Sequence, residues 1–323
     1  MNIKKIGLTA LAGSLVATSA FAGEMSVAGS ASINVEHTNG GAADTGKTFS
    51  MGNQLTFSGS GELDNGLNVS LSFILDQNDD KAADDQSTAG SYNSGVPFDS
   101  HSVTVSSDGF GSLKFSGEGG DSSTSALDKT AAGDLWDNYD AEDGLEPTGV
   151  GTGDNMMMYT LPSLMDDLSL NVSYLPAGSA TDSAVGYGAT YSGVEGLSVS
   201  YATGDDNTVG NTGEGTVMKA SYAIGSVTVA ASNYDYDTTG TSSDDDVDGY
   251  KITYTVSDDL SVSYASETVQ TGTLEAEYDE ISASYTTGGM TISASMGTAD
   301  DRDGTTTTTM DNERWALGAS FAF

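Results

Sequence analysis

The stretch Glu313–Phe323 reads ERWALGASFAF. Trp315, Leu317, Ala319, Phe321 and Phe323 share one parity, and Arg314, Ala316, Gly318, Ser320 and Ala322 share the other. This predicts a period-two strand with one apolar face. At a sheet edge such a strand would recruit other chains, whereas a closed barrel pairs its last strand with its first. The stretch therefore admits two readings, an ordinary amphipathic edge strand or the closing strand of a barrel, and the rest of the chain has to separate them.

At the other end, Lys4 and Lys5 precede an apolar run from Ile6 to Ala17, and Ala20-Phe21-Ala22 offers a small-x-small cleavage site. This predicts a secretory signal peptide over residues 1–22, followed by a mature chain over 23–323. No later stretch approaches the roughly 18 uninterrupted apolar residues that a membrane helix needs, so a membrane protein of this sequence must be a barrel. The chain of 323 residues contains 41 Gly, 4 Pro and no Cys, long enough for a sizeable fold without disulfide staples. Without the two signal-peptide lysines, 8 basic residues stand against 47 acidic ones, a balance of −39. A phosphate backbone would be repelled, which excludes nucleic acid as a partner. The regular apolar alternation argues against a disordered acidic chain.

That alternation predicts an all-β chain of sixteen strands, at 24–37, 48–62, 66–77, 100–107, 110–118, 154–160, 168–175, 183–192, 196–203, 214–224, 226–236, 247–256, 260–268, 275–286, 290–299 and 312–323. Tight connections such as Leu63-Asp64-Asn65-Gly66, Asp108-Gly109, Ser257-Asp258-Asp259 and Thr287-Gly288-Gly289 alternate with long acidic, Gly/Ser/Thr-rich ones. Short turns on one rim and long loops on the other are the pattern of a transmembrane antiparallel up-and-down β-barrel. Leu67, Val69, Leu71, Phe73 and Leu75 would then face lipid, and Asn68, Ser70, Ser72 and Asp76 the lumen. Tyr174, Tyr191, Tyr201, Tyr222, Tyr264 and Tyr285 take the outward parity and suit an interfacial girdle. Lys114, Lys219, Lys251 and Arg314 all take the inward parity, where a charge avoids a lipid-facing cost of about 2–4 kcal/mol.

The terminal Phe323, with Phe321, Leu317 and Trp315 alternating behind it, resembles the C-terminal assembly signal of bacterial outer-membrane barrels. Gly109-Phe110-Gly111-Ser112-Leu113-Lys114 and Glu118-Gly119-Gly120-Asp121 resemble the strand and loop start that lead into the constriction loop of the Gram-negative general porins. Those porins are sixteen-stranded and usually trimeric. The Pro and Phe of the fuller loop motif are missing here. The resemblance covers about residues 23–323 and implies that residues 119–153 fold into the barrel and narrow a pore. It implies Glu118, Asp121, Asp128, Asp134, Asp137, Asp140, Glu142 and Asp143 as constriction acids, and Lys114, Lys219, Lys251 and Arg314 as pore-wall bases. In many general porins an arginine cluster on the early strands faces these acids. Glu36, Glu62 and Asp76 stand there instead, so cation preference without a strong two-sided field is expected. The implied partners are outer-membrane lipid and lipopolysaccharide, the barrel-assembly machinery, small hydrophilic solutes and two further copies in a homotrimer.

Other motifs give way to blander readings. Gly41-Ala42-Ala43-Asp44-Thr45-Gly46-Lys47-Thr48 matches the phosphate-loop pattern, but a strand rather than a helix follows, which points to an external loop. Asp244-Asp245-Asp246-Val247-Asp248-Gly249 imitates the start of an EF-hand loop, yet its twelfth position is Thr255. Loop carboxylates, including Asp300, Asp301 and Asp303, could hold Ca²⁺ weakly; no other cofactor is implied. His37 and His101 form neither a zinc set nor a triad, and Met156, Met157 and Met158 read as packing. The expected function is an outer-membrane diffusion porin. The alternatives are a non-conducting barrel acting as adhesin or calcium-binding surface protein, and an outer-membrane hydrolase for which the sequence offers no catalytic constellation.

Overall fold

The computed structural model describes residues 24–40, 45–77, 100–127, 129–142, 145–150, 153–178, 181–206, 209, 213–238, 244–304 and 311–323. The predicted signal peptide lies outside them. The strands are β1 (Glu24–Gly40), β2 (Thr45–Glu62), β3 (Asn68–Gln77), β4 (Ser100–Ser107), β5 (Gly111–Glu118), β6 (Met156–Thr160), β7 (Leu168–Leu175) and β8 (Ala184–Val194). They continue as β9 (Leu197–Asp205), β10 (Gly213–Ile224), β11 (Val227–Thr238), β12 (Asp245–Thr255), β13 (Leu260–Thr271), β14 (Leu274–Thr287), β15 (Met290–Asp300) and β16 (Asn312–Ala322). Each pairs antiparallel with its sequence neighbours, and β16 returns to β1, so the sheet closes on itself.

The closing strand is the stretch from which the sequence was read. Val35 stands opposite Leu317, and His37 opposite Trp315. Beyond the strand, Phe323 exchanges both backbone hydrogen bonds with Gly29, at 2.9 and 2.8 Å. Its ring lies over Gly29, where any Cβ would overlap it. A glycine in the first strand thus makes the seat for the last side chain.

The four predicted tight turns all join strands on one rim. In the first, Gly66 takes a φ of 81° and the Leu63 N–H donates to Leu67 O at 2.7 Å. The predicted alternation of short and long connections has two exceptions: β1 runs to Gly40 and β2 starts at Thr45, which leaves residues 41–44 between them rather than 38–47. β13 runs on to Thr271 and β14 starts at Leu274, so only Gly272-Thr273 connects them, not residues 269–274. Gly272, at φ 60°, supplies the positive dihedral that a two-residue hairpin needs. Two motif readings shift as well. Thr45 to Thr48 already belong to β2, so half of the phosphate-loop match is strand rather than loop, while residues 41–44 lie outside the described residues. Likewise Asp245 to Gly249 lie in β12, where period two sends neighbouring carboxylates to opposite faces: Asp245 is buried and Asp248 exposed.

One parity of every long strand is apolar and exposed, as Leu71, Met218, Val229, Ile252, Ile281 and Leu317 illustrate. The six tyrosines predicted to face outward are all exposed, joined by Tyr187, Tyr250 and Tyr254. The buried apolar cluster has a different location. It lies between the inner face of β10–β15 and the segment that follows β5, where Trp136, Tyr139 and Val150 pack with Val217, Tyr234, Val247, Val269 and Tyr278. This two-sided arrangement makes Leu71 and Ser72 opposite tests of one strand. Leu71→Lys should cost about 2–4 kcal/mol of barrel stability and Ser72→Lys well under half of that, measured by urea unfolding in lipid vesicles.

Candidate functional site

Gly119, at φ 62°, turns the chain off β5, and Gly120 bridges Gly153, so the intervening segment leaves and rejoins the wall at one place. Between these points it lies against the inner wall from β7 to β15. The Ser123 N–H donates to Ser173 Oγ on β7 at 3.0 Å, and Lys219 Nζ on β10 donates to Leu127 O at 2.9 Å. Ala131 N–H reaches Ser232 Oγ on β11 at 2.6 Å. Thr148 is held twice, its N–H by Asp245 of β12 at 2.8 Å and its carbonyl by the Tyr234 hydroxyl at 2.5 Å. Tyr139 stacks obliquely on Tyr278 of β14, with ring centroids 5.7 Å apart. Such hydrogen bonds contribute about 1 kcal/mol each, more where one partner is charged.

The one buried carboxylate that caps a helix among these anchors is Glu267 of β13, 1% exposed, whose two oxygens face the N–H groups of Leu135 and Trp136 at 3.4 Å each. Leu135–Glu142 is a 3-10 helix, so an acid meets the unpaired amides of its first turn, where the helix end is electropositive. Seats for the segment come from side chains that are small or missing. A Cβ on Gly215 would approach Val150 Cγ2 to 2.5 Å, and one on Gly249 would overlap Thr130 Oγ1. Lys129 donates to Pro147 O at 2.7 Å and lies 5.4 Å over the Trp136 ring. Burial holds its ammonium below the usual lysine range, opposed by the charges of Asp134, Glu146, Asp137 and Asp245. Burial likewise raises the Tyr139 hydroxyl.

Facing the other way, the segment borders an open space of about 430 Å³ inside the barrel. Ala132, Gly133, Leu135 and Asn138 line it from the segment; Asn34, Glu36, Ser50, Lys251, Glu280, Ser282, Ser293, Ser295 and Arg314 line it from the wall. Arg314 and Glu36 are joined at 2.5 Å across the β1–β16 seam.

The predicted wall bases thus divide. Lys251 and Arg314 border the open space, Lys219 is engaged beneath the segment, and Lys114 stands on β5 between Thr104 and Met158. Of the predicted acids, Asp121 and Asp137 are exposed and Asp134 is half-buried at φ 52°. Glu118 approaches His101 Nδ1 at 3.8 Å. Asp140 and Glu142 lie on the 3-10 helix without described side chains, and Asp128 and Asp143 lie outside the described residues. Asp245, Glu267 and Glu280 were missed, although each shares the inward parity of Lys251 or Tyr278 on its strand or the next. On the outer face, Trp315 lies 6.2 Å from the His37 ring, and Leu317, Phe321 and Phe323 are exposed. The acidic run is spent on local hydrogen bonds, Asp244 to the Thr238 N–H and both Asp246 and Asp248 to Asn233. Among the described residues, no three His, Asp or Glu side chains converge to hold a metal ion.

A profile described as Gram-negative porin matches residues 7–283. The chain belongs to the Gram-negative porin family. Porins of this family reside in the bacterial outer membrane, which is therefore the location of this one. Among solved structures it resembles an anion-selective porin from Comamonas acidovorans, with TM-score 0.72 and 15% identity over 93% of this chain and 99% of the other. A triple mutant of the Rhodopseudomonas blastica porin gives 0.66 and 16%, over 93% and 100%. A Vibrio cholerae OmpT lacking loop L8 gives 0.62 and 16%, over 94% and 100%. A search of curated protein sequences finds no match.

The seat at Gly249 can be tested directly. Gly249→Val should dislodge the segment from β12 while leaving the outer wall intact. Conductance of the reconstituted porin should rise, with the heat-dependent gel shift of the folded barrel unchanged.

Proposed function

We propose that this porin is a passive, water-filled channel for small hydrophilic solutes, narrowed by residues 119–153 and mildly cation-preferring, and that it works as a homotrimer. The observation that carries the channel is the open space beside the docked segment, whose wall is rich in hydroxyl and amide side chains: Asn34, Ser50, Ser282, Ser293 and Ser295. Such a wall replaces part of a solute's hydration without holding it, as passive transit requires. Fold alone does not set the sign of selectivity, because function lives in the side chains of a site.

Two observations support cation preference. The balance of the mature chain is −39, and Asp121, Asp137 and Glu146 are exposed on the segment. Carboxylates at the mouth concentrate cations through water, so the effect is screened by salt. The homotrimer and the lipopolysaccharide contact rest on the likeness of residues 23–323 to general porins, the assembly signal on the alternation of Trp315, Leu317, Phe321 and Phe323, and the signal peptide over 1–22 on Lys4, Lys5, the apolar run Ile6 to Ala17 and Ala20-Phe21-Ala22.

Planar-bilayer conductance with the reversal potential read under a salt gradient tests this reading. Discrete steps, in threes, should appear. The reversal potential should be cation-selective at about 0.1 M salt and decline toward zero near 1 M, as the Debye length falls from about 10 to about 3 Å. Anion selectivity at low salt would overturn the charge assignment and keep the channel. A folded barrel that never conducts would overturn the channel itself.

A further inference from the structure

The strand register places three of the bore-facing charges in an ordered series. Lys251 stands opposite Ala265, Ala265 opposite Glu280, Glu280 opposite Gly297 and Gly297 opposite Arg314. Basic, acidic and basic side chains therefore alternate along one row across β12–β16, with a small residue between each pair. Arg314 then takes Glu36 of β1 as its own counter-charge. Neighbouring strands lie about 4.8 Å apart, so successive charges in the row are spaced by about 10 Å at the backbone.

The small residues have a visible purpose. Ala265 is buried beneath the segment, and a Cβ on Gly297 would come within 3.0 Å of the Tyr139 hydroxyl. The segment therefore rests on the spacers and leaves Lys251 and Glu280 to line the open space. Neither has a hydrogen-bond or ion-pair partner among the described residues. The face that the segment itself turns to this space, Ala132, Gly133, Leu135 and Asn138, carries no charge.

Resting on the channel reading, we propose that Lys251 and Glu280 form a dipolar contact site favouring solutes that carry both a carboxylate and an ammonium group, small zwitterionic peptides above all. An extended chain spans at most about 3.3–3.6 Å per residue, so the two ends of a tripeptide match a spacing of about 10 Å. A carboxylate end would meet Lys251 while the ammonium end meets Glu280. Both side chains are half-buried and border the open space, so each contact is made through water-filled volume and stays weak, which speeds entry without trapping the solute.

The test is influx into vesicles reconstituted with the full mature porin. Triglycine is compared with its N-acetylated, C-amidated form, for wild type, Lys251→Gln, Glu280→Gln, the double variant and the charge swap Lys251→Glu with Glu280→Lys. Triglycine should enter about two- to fivefold faster than the blocked peptide through the wild type. The advantage should shrink in each single variant, vanish in the double and return in the swap, since a peptide can enter in either direction. The single variants should move the reversal potential oppositely, Lys251→Gln toward cations and Glu280→Gln toward anions. Equal influx of the two peptides through the wild type, or an advantage that survives the double substitution, would overturn the site while leaving the channel standing. Absence of both influx and ion conductance in a folded wild type would instead remove the channel reading on which the site rests.

Discussion

Hydrocarbon offers no hydrogen-bond partner, and an unpaired peptide group left in it costs several kcal/mol. Pairing of β16 with β1 removes the last two open edges, and the rest of the structure depends on that seam. It is fastened on both sides of the wall. Outside, Phe323 covers Gly29 and Trp315 lies near His37. Inside, Arg314 reaches Glu36. A seam of this kind lets weakly hydrophobic strands cross a membrane, because only alternate residues meet lipid while the others remain free to be polar.

Closure creates a second problem, since a sixteen-stranded cylinder is too wide for its own wall side chains to fill. The segment after β5 occupies part of that volume and packs with the wall into the larger of the two buried apolar clusters among the described residues. Its docking combines close packing on spacer residues with hydrogen bonds to buried or half-buried polar groups on five of the strands it crosses. A buried carboxylate such as Glu267 is costly unless its oxygens are engaged, so its two amide contacts both satisfy it and fix where the helical turn can sit. Tyr234 extends the same logic to an aromatic side chain, which fills space with its ring and gives its hydroxyl to the Thr148 carbonyl.

The docked segment also redistributes charge. Lys219 and Asp245 are consumed in holding it, Arg314 and Glu36 neutralise one another, and Lys251 and Glu280 are left beside the open space. A count of acidic against basic residues along the chain therefore describes the long-range field but not the local one. The long-range field fades over a Debye length, whereas contacts at the wall do not.

The barrel is written in the local pattern of the chain. Strand number, the inward parity of Lys114, Lys219, Lys251 and Arg314, and the outward tyrosines were all legible because a period of two is a local property that a one-residue slip would invert. Even a short hairpin that the pattern misjudged, at Gly272-Thr273, carried a glycine as a local sign. What lay beyond it was which inward residues meet across the lumen. Glu267 and Trp136 are 131 positions apart, and Ala265 and Gly297 look like unremarkable strand residues until the segment rests on them. That Glu280 borders the open space while Glu267 is sealed follows from the folded chain alone, because a non-local contact depends on where the chain returns and not on the period of either strand.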